Sequence, residues 1–465
     1  MSSCACSRER ISRSGRPDDG AFFKMMRLAA VALALALTCP ATVVGQQDSA
    51  SVRRLMLSHH DAAPPDYLAA LAVTELAAVR APAPPIISPG LAALHHDRTM
   101  ALYPVADAHG PPVPIPAPPP GRPPVAVRGL YLNAWVFGSS RFYDLLALAD
   151  TTEINAFVID VKDATGYIAY RSSVPTAVSI GANDLIRVRN AQSRLAQLRA
   201  HGIHSIACIV VARDRLLAER KPQWAIKDRR GGLWIDGLGD PWVDAYHDSV
   251  WIYAAEIAAE AIVMGFGEVQ FDYVRFPDEP PERLAHAMFA ARRDGESRRA
   301  AVRRHVRRMR ERLEPLGVPF TLDVFGMTTS SNDDLGIGQN WDDLVRLADV
   351  LLPMVYPSHY PRGAYGIRYP NAEPYRIVRR ALEDAIRRSA GIPGAARIRP
   401  YLQAFTLRRP RYNATEVRAQ IRAVEDLGLT DWVLWNARGV YPPGALRSDS
   451  ESVIAPDALA PLYVP

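Results

Sequence analysis

Cysteine is scarce in this chain, which excludes a disulfide framework. The 465 residues include four cysteines, and Cys4, Cys6 and Cys39 lie in the N-terminal portion that we expect to be removed. Cys208 then remains alone, inside the apolar run 206–211. A single cysteine cannot form an internal disulfide, and among apolar neighbours it is expected to be a small buried side chain rather than a nucleophile. The remaining chain must therefore be stabilised by its core alone.

Several functional signatures are also missing. No Cys/His cluster has zinc spacing, no Gly-x-Ser-x-Gly segment is present, and no glycine-rich phosphate loop follows the first predicted strand. After residue 45 no run is long and apolar enough to span a bilayer. These absences argue against zinc, serine-nucleophile and nucleotide-binding chemistry, and we expect no metal ion or other cofactor and no transmembrane segment after signal cleavage.

The first 45 residues are typical of an export signal behind a short upstream extension. Lys24 and Arg27 precede the apolar run 28–37, and the small residues Val43 and Gly45 fit the positions before a cleavage site. We therefore predict that residues 1–45 are removed. The protein is then expected in the periplasm, outside the cell, or associated with the envelope.

Residues 46–124 have a different composition from the rest of the chain. Residues 67–80 are rich in alanine and leucine and predict one short helix, whereas prolines dominate from residue 81 and peak at 111–120. Such a composition favours an extended spacer without a packed core, so this region is predicted to be a largely disordered linker. Residues 446–465 are predicted to be a C-terminal tail.

Residues 125–445 alternate short apolar runs with helical stretches, a pattern typical of repeated βα units. Eight runs predict strands, at 127–133, 156–161, 205–211, 268–273, 320–325, 350–356, 398–403 and 432–436. Helices are predicted between them, including 142–150, 191–201, 249–264, 298–313, 341–347, 374–389 and 415–427. The fold class is therefore α/β, and eight strands in this length predict a (β/α)8 TIM barrel, with an open doubly wound sheet as the alternative.

The net charge of +6 is concentrated in an arginine-rich segment, 292–312. Apolar residues recur there at helical spacing, at Ala301, Val302, Val306, Met309 and Leu313, which predicts a surface helix with a solvated basic face. Binding of an anionic polymer is the alternative. No aromatic residues are interleaved for base stacking, so we expect no nucleic-acid partner.

The segment 268–277 is the most informative part of the sequence. On a strand, side chains alternate between faces, so Glu268, Gln270 and Asp272 share one face. A polar face on a buried strand fits a barrel interior that opens on a site, and the strand's C-terminal end is where such barrels hold their chemistry. Arg275 follows closely and would help to keep Asp272 ionised.

Other predicted strands also end in polar or aromatic residues. We assign Asp272 and Asp323 as candidate catalytic residues. The candidate substrate-binding residues are Asn133, Asp160, Lys162, Asp163, Gln270, Arg275, Tyr356, His359, Tyr360, Gln403, Trp435 and Asn436. Any single buried acid has a structural alternative, and Asp160 beside Lys162 is equally consistent with a structural ion pair.

Acids that point into one basin cannot all ionise, so their pKa values separate and supply one proton donor and one carboxylate. Glycoside hydrolysis requires this pair. Asp272 is assigned as nucleophile or base and Asp323 as general acid, with Asp160 or Asp163 as substitute, although the sequence leaves the roles interchangeable. A polysaccharide is the expected partner, and a non-catalytic carbohydrate-binding barrel or envelope scaffold is the alternative function.

Four ordered motifs support this interpretation, at 270–277, 323–326, 353–360 and 434–436. With them, residues 125–441 resemble a family of bacterial glycoside hydrolase domains that is grouped with α-amylase-like and related (β/α)8 hydrolases. The resemblance implies a TIM barrel and polysaccharide cleavage. In the amylase-like pattern the acid that ends the fourth strand is the nucleophile, which corresponds to Asp272. The general acid there is usually a glutamate on the fifth strand, and this chain has Asp323 instead.

Overall fold

The computed structural model describes residues 124–448. The predicted signal peptide, proline-rich linker and short helix, and nearly all of the predicted tail, lie outside the described residues. Within the described range the strands are β1 (Arg128–Leu132), β2 (Ala156–Lys162), β3 (His204–Val210), β4 (Glu268–Asp272), β5 (Phe320–Phe325), β6 (Val350–Met354), β7 (Arg397–Ile398), β8 (Tyr401–Gln403) and β9 (Trp432–Trp435).

Helices separate most of the strands. They are α1 (Ala134–Gly138), α2 (Arg141–Asp150), α3 (Pro175–Ile180), α4 (Ala191–Ala200), α5 (Arg215–Arg220), α6 (Asp248–Met264), α7 (Pro281–Leu284), α8 (Arg298–Leu313), α9 (Trp341–Leu344), α10 (Pro374–Ser389) and α11 (Ala414–Glu425). α6 ends at Met264 and is followed by the capping residue Gly265, whose positive φ of 117° suits a residue without a Cβ atom.

All strand pairings of the sheet are parallel, and the sheet closes on itself. β1 pairs with both β2 and β9, and β5 pairs with both β4 and β6. β7 and β8 together occupy one strand position of the barrel, which is interrupted at Pro400 because the proline nitrogen cannot donate a hydrogen bond to the neighbouring strand. The barrel therefore has eight strand positions around one interior. This arrangement confirms the predicted (β/α)8 barrel.

Side chains divide between the barrel interior and the layer under the helices. Val158, Cys208, Leu352, Tyr401 and Val433 pack together inside the barrel, whereas the alternate residues of the strands join the larger core beneath the helices. Cys208 is buried with a free thiol, as predicted.

A buried ion pair occupies the end of the barrel at which the strands begin. The Arg399 guanidinium donates to Glu268 through Nη1 at 2.6 Å and Nη2 at 3.3 Å, and both side chains are almost completely buried. Thr321 Oγ1 donates to the same carboxylate at 2.7 Å, and His204 Nε2 lies 3.1 Å from it. Burial opposes ionisation of Glu268, yet Arg399 and His204 lower its pKa to about 2. The first residue of the polar face predicted for β4 is therefore a buried carboxylate whose charge is compensated by Arg399.

The arginine-rich segment forms α8, whose predicted apolar stripe is buried against the barrel. Its arginines are largely paired with acids of neighbouring elements. Arg304 contacts Asp248 and Glu296, and Arg299 contacts Asp343. This confirms a surface helix whose basic face is largely neutralised.

Candidate active site

A cleft of about 960 Å³ opens at the end of the barrel where the strands finish. Polar and aromatic side chains from most of the strands reach this cleft, because the C-terminal ends of parallel strands all point to one side of the barrel. The predicted site residues that line it are Asn133, Asp160, Asp163, Asp272, Arg275, Asp323, Tyr356, His359, Tyr360 and Trp435.

Asp272 ends β4, and the backbone turns sharply after it. Tyr273 has a positive φ of 52°, an unfavourable value for a bulky residue, and its amide donates to Asp272 Oδ1 at 2.6 Å. Burial raises the pKa of Asp272, while the Tyr273 amide and the charges of Arg275 and Arg213 oppose that increase. Arg275 thus acts in the predicted direction, but burial has the larger effect.

Asp323 lies beside Asp272 on the next strand. Phe271 pairs with Leu322 in the parallel register, so the following residues are these two acids. Gln270 Nε2 donates to Asp323 Oδ2 at 2.9 Å, whereas Asp323 Oδ1 is buried without a hydrogen-bond partner. Burial and repulsion by the Asp272 charge raise the pKa of Asp323 well above its usual value. Asp323 is therefore the weaker acid of the pair, and Asp272 loses its proton first.

Asp160, at the end of β2, forms a second acidic group. Tyr131 Oη donates to Asp160 Oδ2 at 2.5 Å. Burial, followed by repulsion from Asp163, raises the pKa of Asp160 to about 7. Asp163 is better compensated, because it pairs with Arg187 and accepts a hydrogen bond from Thr165 Oγ1 at 2.5 Å.

One wall of the cleft is aromatic. Tyr131 and Trp435 stack with their ring centroids 5.6 Å apart, and Phe405 meets Trp435 edge-on at 5.2 Å. The Tyr356 ring contacts both Trp435 and Phe405, and the centroid of the His359 ring lies 5.3 Å from that of the Tyr356 ring. Flat apolar rings beside carboxyl groups suit a ligand with both apolar faces and hydroxyl groups, as a sugar has.

The opposite wall comes from the segment 211–247, between β3 and α6, which contributed no site residue to the sequence prediction. Arg213 donates to Asp240 and lies 3.4 Å from Tyr273 Oη. The Arg275 guanidinium packs against Trp242, with the Arg275 Cζ atom 5.3 Å from the centroid of the Trp242 ring. The sequence shows the tryptophans and charged residues of this segment, but they belong to no strand end, and their pairing is known only from the structure.

Four predicted site residues do not line the cleft. A bulge between Asp160 and Lys162 turns Lys162 outward, where its Nζ donates to Asp214 at 2.7 Å. Gln270 lies beneath the floor and donates to Asp323. Gln403 accepts from the Ser358 amide, and Asn436 donates to the carbonyl of Ala404, so both brace loops.

Among residues 124–448, no group of three or more His, Cys, Asp or Glu side chains is arranged to hold a metal ion. In the same range no helix is long and apolar enough to cross a membrane. The site is thus built from carboxyl groups, arginines and aromatic rings.

A family model described as "Putative glycosyl hydrolase domain" matches residues 129–441. Among solved structures, a hypothetical protein from Ruminiclostridium thermocellum ATCC 27405 is 34% identical, covering 45% of this chain and 98% of that one, with a TM-score of 0.38. The PgaB (BpsB) glycoside hydrolase domain from Bordetella bronchiseptica is 14% identical, covering 67% and 94%, with a TM-score of 0.49. The PelA glycoside hydrolase domain from Pseudomonas aeruginosa is 13% identical, covering 70% and 99%, with a TM-score of 0.39. No curated protein sequence matches the chain.

Proposed function

The chain belongs to the putative glycosyl hydrolase domain family, and on that premise we propose that it is an exported enzyme that cleaves a polysaccharide with the paired carboxyl groups of Asp272 and Asp323. The observation that carries this proposal is the pair itself. Two acids on neighbouring strands share one cleft, and the charge of Asp272 raises the pKa of Asp323. Two coupled carboxyl groups with separated pKa values are what hydrolysis of a glycosidic bond requires.

Asp323 is the proton donor in this mechanism. Its Oδ2 is occupied by Gln270, so the proton resides on Oδ1, which has no acceptor within the protein. A glycosidic oxygen placed at Oδ1 would receive that proton as the bond to the leaving sugar breaks.

Asp272 acts at the anomeric carbon. The Tyr273 amide holds Oδ1, and Arg275 and Arg213 favour its charged form. The carboxylate then either attacks the anomeric carbon or removes a proton from an attacking water, and in both cases its charge stabilises the oxocarbenium-like transition state.

The aromatic wall orients the polymer across these two groups. Trp435 and Tyr131 stack on each other at this wall, next to Asp160, which also lines the cleft. Cleavage of a polymer outside the cytoplasm agrees with the export signal predicted for residues 1–45. Localisation and chemistry are tested separately.

The chemistry is tested by product analysis on a panel of polysaccharides. Wild type is compared with Asp272→Asn and Asp323→Asn, each of which keeps the shape of the side chain and removes its acid function. We expect kcat to fall about 10²–10⁴-fold in both variants, the usual contribution of one acid or base. Asp144→Asn is the matched control, because Asp144 is 66% exposed on α2.

Equal rates in wild type and Asp272→Asn would refute the catalytic assignment. Polysaccharide binding by the wild type without any product would instead favour the non-catalytic carbohydrate-binding barrel. Export is tested by cell fractionation of the full-length chain and of a chain that lacks residues 1–45.

A further inference from the structure

The cleft meets bulk solvent at two places on the barrel rim. The exposed residues among those that line it follow β2 and β3 at one place and β6 and β8 at the other. They are Asp184, Arg215, Glu219 and Leu238 at the first place, and His359 and Arg408 at the second. All other lining residues in the described part of the chain are buried or half-buried. The cleft therefore has two open ends.

The order of the strands places these two ends opposite each other. Around the closed sheet the order is β1, β2, β3, β4, β5, β6, then β7 with β8, and finally β9, which pairs with β1. In a ring of eight positions, β2 stands across from β6, and β3 stands across from the position that β7 and β8 share. The cleft thus crosses the mouth of the barrel from one side to the other.

The catalytic pair lies between the two ends. Asp272 ends β4 and Asp323 lies on β5, and these strands stand across from β9 and β1, which carry Trp435 and Tyr131. The lining residues on and after these four strands are buried or half-buried, so the cleft has closed sides at its middle. A chain that runs from one open end to the other therefore passes between the acids and the stacked rings.

The cleft is also larger than a single sugar requires. Its volume of about 960 Å³ lies at the upper end of the range of about 300–1,000 Å³ that is usual for sites enclosing a drug-sized ligand. One sugar unit is much smaller than such a ligand. Several consecutive units are therefore needed to fill the cleft, and some of them lie on each side of the acids.

We propose that the enzyme is endo-acting, which means that it binds an internal stretch of a long polysaccharide and cuts bonds away from the chain ends. The proposal rests on the proposed function, because it takes Asp272 and Asp323 as the groups that cut. An enzyme that removes units from a chain end holds that end in a site closed beyond the reacting sugar, and two open ends provide no such stop. Each cut adds one water molecule across a glycosidic bond, so one fragment gains a reducing end and the other gains a hydroxyl group on the former leaving oxygen.

Each open end carries a side chain that a sugar ring could cover. Leu238, in the segment 211–247, is 41% exposed although it is apolar. His359 extends the aromatic wall beyond Tyr356, with the two ring centroids 5.3 Å apart. A polymer that spans the cleft would contact both Leu238 and His359, whereas a chain end held in a one-sided site would contact only one of them.

The sizes of the products test where the polymer is cut. Full-length wild type is incubated with hydroxyethyl cellulose, amylose, pullulan, glycol chitin, chitosan and alginate, each reduced beforehand with borohydride so that every new reducing end reports a cut. Polymer mass is followed by size-exclusion chromatography with light scattering, and free mono- and disaccharide by ion-exchange chromatography. We expect the weight-average mass of a cleaved polymer to fall by at least half before free mono- or disaccharide is detected.

Variants at the two ends test whether the polymer spans the cleft. Leu238→Ser and His359→Ala should each raise KM for the cleaved polymer at least about threefold and leave kcat within about twofold, because each removes a binding contact far from the reacting bond. The matched controls are Ile252→Ser, on α6 where Ile252 is 45% exposed, and His286→Ala, at an exposed position after α7. Neither control residue lines the cleft, so both should keep the wild-type KM.

Release of mono- or disaccharide from a polymer of unchanged mass would overturn endo action, and so would a rise in KM confined to one of the two end variants. If that release were lost in Asp272→Asn, the glycoside hydrolase function would stand. Absence of cleavage of all six polymers by wild type would overturn endo action and hydrolysis together.

Discussion

Replacing Arg399 by methionine should destabilise the barrel strongly, although Arg399 lies at the end remote from the cleft. Its guanidinium is the principal counter-charge of Glu268, and the side chains are 1% and 0% exposed. Methionine fills similar volume but leaves the Glu268 carboxylate buried without that partner. Truncation of one member of a buried pair typically costs about 3–5 kcal/mol.

The pKa of Glu268 provides a second route to the same magnitude. It is lowered from 4.5 to about 2 by Arg399 and His204, against the opposing effect of burial. At about 1.36 kcal/mol for each unit, the ionised carboxylate contributes roughly 3 kcal/mol. Because the folded pKa is the lower one, this contribution is complete above about pH 4.5 and is lost as the pH falls towards 2. The contribution of the ionised Glu268 and the usual cost of breaking a buried pair are therefore of the same order, about 3 kcal/mol.

The free energy of unfolding would be measured by urea denaturation of wild type and Arg399→Met, followed by tryptophan fluorescence at pH 7 and pH 4.5. At pH 7 we expect the variant to be about 3–5 kcal/mol less stable. The deficit should narrow at pH 4.5, because Glu268 is no longer held ionised and can accept a proton. Glu268→Gln combined with Arg399→Met should recover part of the loss, since it removes the buried charge.

Arg379→Met is the matched control. Arg379 forms a surface pair with Glu383 at 2.9 Å, and the side chains are 36% and 32% exposed, so its loss should leave the free energy of unfolding almost unchanged. If Arg399→Met were as stable as this control, or if its deficit did not change with pH, the assignment of Glu268 and Arg399 as a stabilising buried pair would be refuted.

Three further changes probe the cleft. Gly326→Ala would place a Cβ atom 2.5 Å from the carbonyl of Met354, so we expect a loss of about 1–3 kcal/mol in urea denaturation, and unchanged stability would contradict the packing. Trp435→Ala should raise KM about tenfold with a smaller change in kcat, because a stacking surface for sugar is lost, and an unchanged KM would show that substrate does not reach this wall. Tyr131→Phe removes a hydrogen bond that lowers the pKa of Asp160, so the apparent pKa in the pH dependence of KM should rise above about 7, and a downward shift would contradict that role.

Much of the barrel could be predicted from periodicity alone. β5, α8 and α10 have the predicted bounds, and the other strands and helices predicted within residues 125–445 overlap those observed. These elements follow from local rules, since alternation marks a strand and a spacing of three to four residues marks a helix. The polar face of β4 could also be predicted from the sequence, because Glu268, Gln270 and Asp272 alternate with apolar residues that belong to the core beneath the helices.

The candidate site was predictable only in part. Asp272 ends β4, and Asp323 lies near the end of the neighbouring strand β5. The general rule that barrel enzymes place polar site residues at the C-terminal ends of their strands is enough to find both. Lys162 follows the same rule but is turned away by a one-residue bulge. Arg213 and Trp242 line the cleft from an irregular segment, to which no rule of periodicity applies.

The sequence by itself determined the eight βα units, the spacing that buries one face of each strand, and the acids that stand at the strand ends. Only the tertiary structure decided which of those acids interact, which oxygen is left without a partner, and which arginines are already engaged. The physical reason is the distance along the chain over which each effect acts. Backbone preferences and the periodic pattern of apolar residues involve only a few consecutive residues. Burial, charge repulsion and hydrogen bonding depend on groups that are far apart in the sequence and that closure of the barrel brings together. Asp323 and Tyr401 are linked through Gln270 in this way, although 131 residues separate Gln270 from Tyr401.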